Sequence, residues 1–170
     1  MNPWTYQIPD DQCLVLWNFA KAQNAHDQKL GMPERKICKE NGDLVKYRGF
    51  RGEWVVCEMF GIKMPQPIHD KAMPEYDLTT PWGIRLEVKT TQWPQGRLLT
   101  WDLERWKSSK ADAFVLVIDE ASGKKAPRDT PLRVAGWIKK EDALQKCSRK
   151  DLGYGMHYIV EQKDLTPCPF

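Results

Sequence analysis

Asp77, Glu87 and Lys89 are the residues whose types and spacing carry the clearest chemistry in this chain of 170 residues. Residues 84–89 alternate apolar and charged without interruption, the two-residue period of a strand with one buried face. The Thr-Thr-Pro-Trp-Gly segment before them reads as a turn. A hairpin centred on Trp82 pairs residues whose numbers sum to 164, so Asp77 falls opposite Glu87. Directly opposed side chains have Cβ atoms about 4.5 to 5.5 Å apart, and two like charges at that distance repel unless something positive lies between them. A divalent cation is the natural candidate. Lys89, two positions after Glu87, shares its face of the strand.

Paired carboxylates suit magnesium or manganese, hard ions that keep several waters. Such an ion lowers the pKa of bound water and offsets charge on a phosphoryl oxygen, while a lysine orients the attacking water or steadies the pentavalent state. The chemistry implied is phosphodiester hydrolysis. The plain alternative is that Glu87 and Lys89 decorate the solvent face of an antiparallel strand. Thr90, Thr91 and Gln92 continue the strand, where Thr90 is a candidate for holding a water or a phosphate, set against simple β-propensity.

The elements that position these residues read as a single α/β domain, a central mixed sheet flanked by helices. Asp10 and Asp11 can cap a helix over 11–29, where Cys13, Leu14, Leu16, Trp17, Ala20 and Ala25 recur at helical spacing. The segment 29–52 carries seven basic residues against three acidic ones and reads as a basic loop. After Gly49 and Gly52, the residues Glu53, Trp54, Val56, Cys57 and Phe60 give a short helix that Gly61 stops. Glu53 then stands near a helix N-terminus, where the helix dipole alone favours a carboxylate. Residues 103–110 look helical and 113–118 form an apolar run suited to a strand covered on both faces. A strand at 133–138, a helix at 140–146 and a strand at 156–160 complete the expectation.

At Asp77, Glu87, Val88 and Lys89 the sequence resembles the PD-(D/E)xK nuclease superfamily, with its restriction-endonuclease-like fold. The pattern is an acidic residue on one strand, then Glu or Asp, any residue and Lys on the next. The run Gly52, Glu53, Trp54, Val55, Val56 is similar to the glutamate-bearing helix that many members place before those strands. Helix 103–110 followed by strand 113–118 matches the order after the motif. The resemblance implies that Asp77, Glu87 and the Val88 carbonyl bind Mg2+ or Mn2+, that Lys89 acts on the water, and that Glu53 helps a second ion or a metal-bound water. Tyr76 stands where the pattern has proline, and Asp70 after Pro67 is a rival for the first carboxylate; the hairpin count favours Asp77. The core would cover 49–118, with 1–48 as a helical and basic extension of one domain spanning 1–170.

Composition sets bounds on the rest. A 41% hydrophobic content supports a real core, and 26 basic against 23 acidic residues give a net charge of only +3. Bulk charge therefore compels no nucleic-acid partner, but clustering does suggest one. The segment 29–52, with Arg48 and Arg51, and residues 121–150, with Lys139 and Lys140, are candidate DNA-backbone contacts, or else solvated faces. Five cysteines form no CxxC pair and share no metal spacing with the three histidines, so reduced thiols with Cys57 buried are expected. Most of the eight tryptophans are assigned to packing. No apolar run spans a bilayer and the N-terminus has no leader-like pattern, so a cytoplasmic protein is expected. The expected function is a metal-dependent DNA nuclease. The alternatives are a catalytically inactive binding module of the same fold and a metal-free interaction domain; whether the chain forms a homo-oligomer is open.

Overall fold

The computed structural model describes residues 4–31, 41–65, 76–100, 102–119, 130–153 and 155–168. In chain order the elements are β1 (Trp4–Tyr6), α1 (Asp10–Lys29), α2 (Gly42–Phe60), β2 (Leu78–Thr79), β3 (Arg85–Thr91), β4 (Leu98–Thr100), α3 (Leu103–Ser108), β5 (Ala113–Asp119), β6 (Leu132–Lys139), α4 (Lys140–Lys146), β7 (Ser148–Asp151) and β8 (Met156–Val160). The apolar run at β5 is buried throughout and sits at the centre of a five-stranded mixed sheet of order β1-β6-β5-β3-β2. β3 and β5 run parallel, joined by a crossover through β4 and α3, while the β2–β3 and β5–β6 pairs are antiparallel. A second sheet of order β4-β8-β7 stands apart from the first. The chain is thus one α/β domain, with two sheets where the sequence suggested one.

The alternation in β3 and β5 sends side chains to two different cores. Leu86 and Val88 join Val115 and Val117 under α1 and α2, in a core with Leu16, Tyr47, Val55 and Val56. Phe114, Leu116 and Ile118 point the other way, against Trp106 of α3, Ala143 of α4 and Leu98 and Val160 of the second sheet. Glu87 and Lys89 share this second face by parity.

The main departure from expectation is α2. The loop reading of 29–52 fails from residue 41 onward: the Asn41 side chain accepts from Asp43 N–H at 2.9 Å and caps a helix that runs unbroken to Gly61. Gly61 ends it as expected, at φ 63° in the left-handed region that glycine adopts without strain. Gly49 and Gly52 are inside the helix, and Gly52 has a packing reason to be there. A Cβ at Gly52 would lie 1.9 Å from Thr90 Oγ1, so glycine lets α2 close onto β3. Gly52→Ala gains roughly 1 kcal/mol of helix propensity, but the overlap is expected to outweigh it and leave a net loss of about 1 to 2 kcal/mol. Denaturant unfolding checks this. The double variant Gly52→Ala, Thr90→Ala should recover most of the loss, and strict additivity of the two substitutions would argue that the two residues do not press on each other.

Candidate functional site

The hairpin register is the one expected from the sequence. Leu78 pairs with Leu86 and Thr79 with Arg85; Asp77 precedes the paired residues, its N–H donating to Leu86 O at 2.9 Å, one residue short of the Glu87 position that the count gives it. β2 is only two residues long and leaves the edge of β3 short of a partner. Asp77 supplies one with its side chain: Oδ2 accepts from Val88 N–H at 2.7 Å. The N–H and C=O of one strand residue address the same edge. The Val88 carbonyl therefore opens toward the edge that Asp77 occupies.

Glu87 is held at both oxygens. Lys89 Nζ lies 2.5 Å from Oε1 and Ser109 Oγ donates to Oε2 at 3.0 Å. Ser109 caps the C-terminus of α3, and its carbonyl accepts from Lys140 Nζ at 2.8 Å. Lys140, at the start of α4, is thereby drawn to the Glu87 side of the sheet. Arg85 and Asp112 pin the starts of β3 and β5 together with a two-pronged contact, Nη2 to Oδ1 at 2.7 Å and Nε to Oδ2 at 3.0 Å. That contact holds the Asp112 carboxyl down at about 2.

Glu53 projects from the middle of α2 into the same locality. The dipole explanation for it falls with the correct helix start, because Asn41 is three turns away. Burial and, next, the Asp77 charge push the Glu53 carboxyl up to about 8, against relief from Lys89 and Lys46. The Asp77 carboxyl is also raised, chiefly by burial, with Lys89 and the Val88 N–H opposing. The structure thus brings Glu53, Asp77, Glu87 and Lys89 to one edge of β3, with Arg105 within electrostatic reach of Asp77. Two partly desolvated carboxylates that repel one another are a pair short of positive charge.

A raised acid makes folding stability fall with rising pH, since the folded state holds a proton the unfolded chain has released. Glu53 contributes that slope from its ordinary value of 4.5 up to about 8. Glu53→Gln is therefore expected to raise the melting temperature at pH 8.5 in EDTA and to flatten the decline between pH 5 and 8. Melting curves across that range check it; equal slopes in the two proteins would place Glu53 in solvent.

Two of the proposed DNA contacts need correction. Arg51 is fully buried, with Nη1 3.4 Å from Asp119 Oδ2 and Nη2 donating to Thr130 O at 2.7 Å, so it cannot meet a phosphate. Its position on α2, one turn after Tyr47 and beside Phe50, puts it on the core face, which a loop reading could not reveal. The Thr90 hydroxyl is also shut from solvent, turned under α2 at Gly52 and away from the face of Glu87. Arg48 sits at the far end of β3, donating to Gln92 Oε1 at 3.2 Å. Lys139 is exposed at the start of α4. Asp70, Lys124, Lys125 and Arg128 lie outside the described residues. Ser109 was missed, and its place one turn beyond Arg105 in a short helix gave no signal of contact with Glu87.

The donors are hard oxygens of the kind magnesium and manganese take. Among the described residues no three His, Cys, Asp or Glu side chains already enclose a metal position; the Lys89 ammonium stands beside Glu87 instead. Cys13, Cys57, Cys147 and Cys168 form no disulfide, three of them are buried, and Cys57, one turn after Glu53 on α2, feels its charge. Among the described residues no helix is long and apolar enough to cross a membrane. No family model, curated protein or solved structure matches the chain.

Proposed function

We propose that this chain is a metal-dependent nuclease of the PD-(D/E)xK type, hydrolysing phosphodiester bonds of DNA with Mg2+ or Mn2+. The observation that carries the reading is the meeting of Glu53, Asp77, Glu87 and Lys89 at one edge of β3, with Glu53 and Asp77 both raised by burial and like charge. Further support comes from element order: a helix with its glutamate, an antiparallel hairpin with the acidic pair, then a crossover helix and a buried strand parallel to the motif strand. That order is the one the restriction-endonuclease-like fold uses.

Asp77, Glu87 and the Val88 carbonyl would hold the ion, with Glu53 beside them. When bound, the ion supplies Lewis acidity toward a phosphoryl oxygen and makes water a stronger acid. The chain's own residues do the remainder. Lys89 places a cation next to Glu87, where it can orient a water and offset charge on the phosphate under attack. Glu53, raised to about 8, is able to hold or release a proton near neutral pH. Ser109 and Lys140 fix the side of Glu87 away from Lys89, which keeps the carboxylate from turning.

Incubating the protein with supercoiled, linear duplex and single-stranded DNA in magnesium, manganese or EDTA tests this reading. Breakdown of at least one form that needs the metal is expected. Intact DNA in every condition, with binding retained, would favour the inactive binding module.

A further inference from the structure

Trp93 is 65% exposed, yet the turn that carries it is tied down from several elements. Gly96 N–H closes the turn onto Trp93 O at 2.8 Å. Gln162 Nε2 donates to Pro94 O at 2.9 Å and Gly96 O at 2.7 Å, and Arg133 Nη2 donates to Pro94 O at 3.0 Å. Gly96 lies so close to the end of β3 that a Cβ there would meet Thr91 Cγ2 at 2.1 Å. An indole exposed on a fixed turn is a preorganised surface, because the ordering cost of the backbone is met on folding. Among the described residues no ring packs against it.

Among the described residues, the charged side chains tied to this turn are mostly basic. Arg48 bonds Gln92 on one side of Trp93, Arg133 bonds Pro94 on the other, and Arg97 on the same turn shares the single carboxylate of Glu161 with Lys150. Thr91 lies on the Glu87 and Lys89 face by parity, and Trp93 follows Lys89 by four positions, at most about 14 Å of chain. An aromatic platform beside clustered guanidiniums and one short step from the carboxylates is suited to a polyanion that also carries flat rings.

We propose that Trp93 stacks on an unpaired base of a nucleic-acid strand whose phosphates are drawn by Arg48 and Arg133, so that the substrate is single-stranded or locally opened. This rests on the nuclease reading and names its substrate class. Inside a duplex both faces of every base are covered by neighbours, and a rigid indole gains a face only where pairing is broken. Stacking of this kind tolerates any base, and the cations add attraction without sequence preference.

The test is binding in calcium, by anisotropy of a short fluorescein-labelled single strand and by competition with relaxed closed-circular duplex. Trp93→Ala should bind the single strand roughly 10-fold or more weakly, with the duplex changed less than about 2-fold and Trp93→Phe restoring most of the affinity. Trp82→Ala is the control, an equally exposed tryptophan at the hairpin tip. Unchanged single-strand affinity in Trp93→Ala, or equal losses on both DNA forms or in both tryptophan variants, would overturn the stacking role and leave the nuclease reading standing. Absence of binding to either DNA by the wild-type protein would overturn both.

Discussion

Glu87→Ala and Lys89→Ala are each expected to lower metal-dependent DNA cleavage by at least about 10²- to 10³-fold, the scale of losing one well-placed electrostatic group, while the protein keeps a cooperative thermal transition. The reason is the division of labour along β3. Glu87 and Lys89 pair at 2.5 Å and Lys89 remains a third exposed; Lys89→Ala also takes away a charge that relieves Glu53 and Asp77, so its melting temperature should fall at neutral pH while the transition stays cooperative. Leu86, two atoms of backbone away, is 1% exposed in the core beneath α2. Leu86→Ala should therefore cost about 2 to 5 kcal/mol of stability. Single-turnover cleavage in manganese, alongside thermal melts, separates the two kinds of loss. Wild-type cleavage by Glu87→Ala would remove β3 from the chemistry.

Asp119→Ala has the largest expected effect on stability. Arg51 and Asp119 have side chains 0% and 2% exposed and 3.4 Å apart, tying α2 to the end of β5. Thr130 accepts from the same guanidinium through its carbonyl at 2.7 Å, and Tyr47 lies under it at 5.5 Å. Removing the aspartate leaves a guanidinium buried without its counter-charge, a loss of roughly 3 to 5 kcal/mol. Replacing both partners with apolar residues of similar volume, Arg51→Met with Asp119→Leu, should cost far less, since no charge then needs burying. Urea unfolding of the two single variants and the double variant measures the coupling. A loss under about 1 kcal/mol in Asp119→Ala would mean water reaches Arg51.

Local patterning was a good guide wherever a period was uninterrupted. The alternation before Lys89 and the turn at Trp82 carry the register that pairs Leu78 with Leu86 and Thr79 with Arg85, because a hairpin's turn fixes the pairs that follow it. The helix at Lys140–Lys146 and the strand at Met156–Val160 were legible for the same reason. The start of α2 was not. Gly49 and Gly52 masked a helical spacing of Tyr47, Phe50, Trp54 and Val55, and Asn41 before Gly42 was the cap that would have revealed it. Glycine lowers helix propensity, but Gly52 is there for the approach to Thr90, which is a tertiary fact. The short β1, β4 and β7 escaped notice because three or four residues carry too little period to register. Of the site, the carboxylates and lysine were visible in the sequence. The burial of Arg51 and the contact of Ser109 with Glu87 were not, as each depends on an element packed from a distant part of the chain.

Uptake of Mn2+ by the intact protein, followed through the electron paramagnetic resonance signal of the free ion, is the most direct measurement. Wild-type protein is expected to remove Mn2+ from solution saturably, and Asp77→Asn, which keeps the shape of the side chain but halves its role as an acceptor for cations, should bind at least about 10-fold more weakly. Equal uptake by the two proteins, or none by the wild type, would contradict a cation site at the edge of β3.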